Sequence, residues 1–143
     1  MKGNYIALNV HLIWTTKNKY PFLKAKFRYP LLEYIRRIAL DHSISIKIVN
    51  GVEDHVHCLV SLHPTQNISH VVKTLKGETS RWLNQQEWFD KNFEWQDGYG
   101  AISVSPQHYQ RTRHYIYNQE AHHAFNSLDD ELKVFEEFSN QED

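Results

Sequence analysis

Two runs of strand-forming residues with only two polar residues between them constrain this chain more than any other feature. Over residues 44–52, Ile44, Ile46 and Ile48 alternate with Ser45, Lys47 and Val49, and residues 55–62 are again rich in apolar and β-branched side chains. Glu53 and Asp54 lie between the runs. So short a connection joins neighbouring antiparallel strands, because a parallel pair needs a crossover of about a dozen residues or more. The rest of the chain must be arranged around this hairpin. Residues 5–14, with Tyr5, Ile6, Val10, Leu12 and Trp14, read as a first strand, and the polar, basic stretch 15–26 with Pro21 as a loop. Leu31, Leu32, Ile35, Ile38 and Ala39 recur at helical spacing and predict a helix over 30–42, with Pro30 in its first turn.

After a break at 64–67, Ile68, Val71, Val72, Leu75, Thr79 and Leu83 mark a second helix whose polar side carries Lys73, Lys76 and Arg81. A short strand follows at 99–104. Ser105 and Pro106 suit a helix start, and that helix is predicted to run to Asn118 or Gln119. Leu128, Leu132, Phe135 and Phe138 predict a last amphipathic helix over 128–138. The order strand, helix, strand, strand, helix, strand, helix predicts an α/β (α+β) fold. Its pattern is the ferredoxin-like split βαβ, with an antiparallel sheet and extra C-terminal helices. That architecture carries many activities and decides none of them.

At 143 residues the chain has the length of one domain, expected to span 1–143 with an acidic helical tail from about 120. The single cysteine, Cys58, excludes an intrachain disulfide and fits a reducing cytoplasm. The N-terminal residues do not read as a signal peptide, and no apolar run reaches the roughly 18 residues of a membrane span, so no membrane partner is expected. The net charge of −1 conceals an asymmetry: residues 1–119 carry +6 and residues 120–143 carry −7. A basic body permits a phosphate-rich partner; a solvated surface followed by an acidic helix accounts for the same charges.

The chemistry is concentrated in His55-Val56-His57. On a strand, residues two apart face the same way, so both imidazoles can approach one cation while Val56, Cys58 and Val60 face a helix-covered core. Cys58 is then a small buried hydrophobe. In a chain with ten histidines such a pair also arises without any ligand role. Tyr115 and Gln119 are four apart on the helix predicted to follow the last strand, which would offer a phenol and an amide oxygen from one face. Two imidazoles, an amide oxygen and open positions suit Mg²⁺ or Mn²⁺ that must still bind phosphate, rather than a closed four-ligand zinc site. Tyr115 reads equally well as a packing aromatic. Tyr109 and Tyr117 have no such ligand four residues on. Lys17, Lys19, Lys73, Lys76 and Arg81 are candidate phosphate contacts, and Tyr20 and Trp95 candidate stacking platforms for unpaired bases; each taken singly reads as a structural or solvated residue before it reads as a DNA contact.

Five segments in order resemble a known family: HLIWTTK at 11–17, DHVHCLV at 54–60, KGETSR at 76–81, WQDGYGAISV at 95–104, and YIYNQ at 115–119 followed by EAHH. Together they span nearly the whole chain and resemble the single-tyrosine transposases of the HUH endonuclease superfamily. The likeness is to the IS200 type and its chromosomal relatives acting on repetitive palindromic elements. The resemblance implies His55, His57 and Gln119 as ligands of a divalent metal and Tyr115 as nucleophile. It also implies single-stranded DNA with small hairpins as substrate, and a homodimer in which each tyrosine can serve the other subunit's metal site. The product would be a covalent 5′-phosphotyrosine and a free 3′-hydroxyl. The alternatives are a housekeeping relative that processes chromosomal repeats, a water-activating metal-dependent hydrolase, and a non-catalytic single-strand-binding domain on the same fold.

Overall fold

A computed structural model describes residues 1–123 together with 128, 130 and 133. Four strands form one sheet: β1 (Asn9–Thr15), β2 (Ser45–Gly51), β3 (His55–Ser61) and β4 (Gly100–Val104). Their order is β2-β3-β1-β4, every neighbouring pair antiparallel. β1 and β2 therefore run parallel with β3 between them, which is the split βαβ arrangement read from the sequence. Helices α1 (Ala25–Asp41) and α2 (Ile68–Gln85) cover one face. Helix α3 (Tyr109–Tyr117) packs against β2 and β3, and a short α4 (Gln119–His123) follows it. The helix expected over 128–138 falls outside the described residues but for single positions.

Under α1 and α2, Val10, Leu12 and Trp14 of β1 and Val56, Cys58 and Val60 of β3 meet Leu31, Leu32 and Ile35 of α1 and Val71, Val72 and Leu75 of α2. Burial of each such large apolar side chain contributes about 1.5–3 kcal/mol. Trp95 belongs to this core: it is buried and its indole N–H donates to Thr79 Oγ1 at 3.0 Å. It is therefore no platform for an unpaired base. Asn67 caps α2 by accepting from the His70 amide at 2.8 Å.

Four local expectations are corrected. β1 begins at Asn9, leaving Tyr5, Ile6 and Leu8 exposed outside the sheet. Helix α1 starts five residues before Pro30, which lies inside it; the basic run before the proline hid its first turn. The alternation of Ile44, Ile46 and Ile48 is broken by a bulge: Ile46 is opposite Val60, but Ile48 is opposite Leu59, with Lys47 as the extra residue. Ile48 consequently packs with Leu59 on the far face and Val49 enters the main core. The helix expected from Ser105 to the region of Gln119 is three pieces: a 3₁₀ turn at Pro106–His108, α3, and α4 beyond a break at Asn118.

Candidate active site and metal centre

The bulge and the hairpin set the site. Gly51 ends β2 where any added Cβ would lie 2.6 Å from the His55 carbonyl oxygen, so a glycine is required for the strands to close here. Val52 donates its amide to that same carbonyl at 3.0 Å. β3 then opens with His55 and His57, both fully buried, on the face opposite α1 and α2. Their rings lie 5.0 Å apart, centroid to centroid.

Each ring is oriented through its Nδ1. His55 Nδ1 lies 2.7 Å from Asp54 Oδ1. A carboxylate only accepts, so the imidazole donates from Nδ1, and a cation would be ligated through Nε2. His57 Nδ1 lies 2.7 Å from Nε2 of His11, a buried histidine of β1 on the same sheet face. Burial first, and the nearby His57 second, hold the His11 pKa well below the ordinary histidine range.

Helix α3 brings the phenol. Tyr115 is half-buried, with its ring edge-on to His57 at 6.3 Å between centroids. Ile116, the next residue, packs on Leu59 and Val104 and fixes the helix to the sheet. Asn50, opposite His57 in the β2–β3 register, donates its side-chain amide to the carbonyls of Ile116 and Tyr117, both at 3.0 Å. The last turn of α3 is thus tied to the strand position beside His57.

Gln119 opens α4 and is fully buried; neither its amide oxygen nor its amide nitrogen has a hydrogen-bond partner among the described residues. The next residue, Glu120, accepts from Arg28 Nη2 at 2.7 Å and from the Tyr29 hydroxyl at 2.6 Å. The Tyr29 bond first and the Arg28 bond second hold the Glu120 carboxyl below its usual range. Arg28 is itself buried and donates through Nη1 to the Leu23 carbonyl at 2.7 Å. This clamp docks α4 on α1 and, with the Asn50 contacts, determines where Gln119 stands. The break at Asn118 means that Tyr115 and Gln119 do not share one continuous helix face.

These residues fit a divalent metal. Asp54 on Nδ1 makes His55 Nε2 a candidate donor atom, His57 offers a second imidazole, and a buried carboxamide with no partner among the described residues is the kind of group that native proteins rarely leave unmatched. Among the described residues no cluster of three or more His, Cys, Asp or Glu side chains could hold a metal. An amide oxygen such as that of Gln119 is a donor of another type that could complete such a set.

The five basic residues are scattered. Lys17 pairs with Glu94 at 3.0 Å, and Arg81 with Glu78. Lys76 donates to the carbonyls of Gln96 (2.7 Å) and Gly98 (2.9 Å), and burial lowers its pKa. Lys19 and Lys73 are exposed. Lys73 and Lys76 line a groove of about 500 Å³ with Ser69, Trp95, Asp97 and Tyr99, whose lining includes none of the site histidines nor Tyr115. The residue that sequence reasoning passed over is His11. Strand parity puts it on the histidine face, but only the β1–β3 pairing reveals which residue it touches.

Comparison with known proteins gives one consistent answer. Residues 4–119 match the family model described as "Transposase IS200 like". The ISDra2 transposase TnpA of Deinococcus radiodurans is 29% identical over 125 residues, covering 82% of this chain and 88% of that protein. A crystal structure of a candidate transposase from Deinococcus radiodurans R1 superposes with a TM-score of 0.63 at 28% identity, over 83% of this chain and 95% of that one. The structure of a REP-associated tyrosine transposase bound to a REP hairpin has a TM-score of 0.65 at 18% identity, over 88% of this chain and 74% of that one, and shows the shared fold. Among the described residues no helix is long and apolar enough to cross a membrane. The chain belongs to the IS200-like transposase family and is a DNA transposase, an enzyme of the class that cuts and transfers single DNA strands.

Proposed function

We propose that this transposase cleaves and rejoins hairpin-bearing single-stranded DNA with Tyr115 as nucleophile and His55, His57 and Gln119 as ligands of Mg²⁺ or Mn²⁺. The observation that carries the reading is the approach of the Tyr115 ring to His57, one member of a buried imidazole pair. A phenol has a pKa of about 10 and is a weak nucleophile until it loses its proton. Tyr115 supplies the attacking oxygen: a bond forms between it and phosphorus, the bond from phosphorus to the 3′-oxygen breaks, and that oxygen leaves as a hydroxyl. The 5′-phosphotyrosine keeps a phosphodiester, which a second 3′-hydroxyl can attack to join a new strand. A bound divalent cation supplies Lewis-acid stabilisation of the charge that develops on the phosphate oxygens.

Hairpin DNA is the proposed substrate; the REP-associated relative was solved with a hairpin. Lys19 and Lys73 are the leading phosphate contacts. Lys17 and Arg81 would exchange a carboxylate partner for phosphate, and Lys76 shapes the groove wall through its carbonyl contacts. Binding should weaken with salt as counterion release requires. The remaining parts of the reading are one domain with an acidic C-terminal segment, a cytoplasmic enzyme and a homodimer. Tyr115 already meets His57 within a single chain, which supports a site completed in cis.

The test is incubation with hairpin-bearing oligonucleotides and Mn²⁺, read on a denaturing gel. The wild type should give a covalent protein–DNA adduct. Tyr115→Phe should lose adduct and cleavage while retaining DNA binding. Cleavage that persists in Tyr115→Phe would mean a water-activating hydrolase, and binding without cleavage by the wild type a non-catalytic binder.

A further inference from the structure

We propose that His11 is a positioning residue for the metal centre: by accepting the Nδ1–H of His57 on its own Nε2 it stabilises the tautomer in which His57 presents Nε2 to the cation. The inference rests on the reading of His57 as a metal ligand. It assigns a role to a residue of a different strand, forty-six positions away in the chain.

The two nitrogens are 2.7 Å apart, in two rings that are both fully buried. At that distance exactly one proton must lie between them, since two lone pairs or two N–H groups would repel. If His11 donated, His57 would carry its own proton on Nε2 and that atom could not ligate. If His57 donates, its Nε2 holds the lone pair. Ligation therefore selects the second arrangement, and the His11–His57 bond stabilises it. The rings also touch, 4.9 Å between centroids at a 31° tilt, so His11 limits ring rotation as well as tautomer.

Asp54 does for His55 what His11 does for His57, but with different chemistry. A carboxylate at 2.7 Å can only accept, so His55 has its tautomer imposed whether or not a cation is present. A neutral imidazole can accept or donate, so the His11–His57 hydrogen bond by itself does not fix which ring carries the shared proton. Two ligands of one centre are thus preorganised to different degrees. The asymmetry follows from β1 offering an imidazole where the turn offers a carboxylate.

The experiment measures Mn²⁺ affinity of the full chain by titration calorimetry for wild type, His11→Leu and His11→Gln, with thermal melts to confirm folding. Loss of an outer-shell partner should weaken Mn²⁺ binding about 10- to 100-fold in His11→Leu. His11→Gln, whose carbonyl oxygen can accept from Nδ1–H, should recover most of that loss. In parallel, ¹⁵N spectra of the Mg²⁺-loaded wild type should place the shared proton on His57 Nδ1, with coupling across the hydrogen bond to His11 Nε2. That readout stands even if His11→Leu fails to fold. Wild-type binding with unchanged affinity in a folded His11→Leu, or a shared proton on His11, would overturn the role of His11 while sparing the metal reading. No Mn²⁺ or Mg²⁺ binding by the wild type would overturn both.

Discussion

On the face beneath α1 and α2, alternate residues of β1 and β3 are Val10, Leu12, Trp14, Val56, Cys58 and Val60, all apolar and all buried. On the opposite face, the intervening residues of the same two strands include His11, His55 and His57, equally buried, above a small apolar cluster of Leu59, Val104 and Ile116. The same backbone thus carries a face that stabilises the fold and a face that gives stability away. Burying an imidazole or amide costs free energy unless a partner is supplied. Asp54 and His11 supply partners to the histidines, whereas Gln119 has none among the described residues; a buried amide left unpaired costs about 1–3 kcal/mol. The comparison separates residues whose loss lowers stability alone from residues whose loss lowers function and leaves stability equal or higher.

The largest expected effect is on the apolar face. Leu75→Ala empties a fully buried position and should destabilise the protein by about 2–5 kcal/mol in urea unfolding, with Mn²⁺ affinity of the folded protein unchanged. A parallel loss of affinity would break the separation of the faces. Arg28→Ala should cost about 2 kcal/mol, because a buried guanidinium spans the Leu23 carbonyl and half-exposed Glu120. Unlike Leu75→Ala, it should also weaken Mn²⁺ binding, since the clamp docks the helix that carries Gln119. Asn50→Ala should cost about 1 kcal/mol and slow adduct formation by loosening the end of α3 beside His57. The smallest effect belongs to Cys58. Burial pushes its thiol pKa up, so it should resist thiol reagents in the folded protein and react on unfolding. Cys58→Val, which replaces the sulfur with two methyl groups at a fully buried position, should cost about 1 kcal/mol and leave adduct formation intact.

How much of this was legible in the sequence follows from the range of each interaction. Periodicity carried the element order, and strand parity put His55 and His57 on one face and Cys58 on the other, because side-chain direction on a strand is a local property. The bulge at Lys47 was not legible: Ile44, Ile46 and Ile48 obey alternation in sequence, and only pairing with Val60 and Leu59 shows that the third isoleucine has changed face. Pro30 misled for a related reason, since a proline tolerated inside α1 resembles one that begins it. Helical spacing groups Tyr115 with Gln119, but the chain breaks at Asn118, and tertiary contacts from Asn50 and Arg28 set their placement. The partnership of His11 with His57 depends on register between distant strands, which no local pattern contains.

The most direct test exploits the buried Gln119 amide, which has no hydrogen-bond partner among the described residues. Gln119→Met keeps the side-chain length while removing both polar atoms, and its urea unfolding should be measured in chelator and again in excess Mn²⁺. If that carboxamide is held in reserve for a cation, the variant should be about 1–3 kcal/mol more stable than wild type in chelator and should lose most of the stabilisation that Mn²⁺ gives wild type. A variant that is less stable in chelator, yet stabilised by Mn²⁺ as much as wild type, would contradict the account.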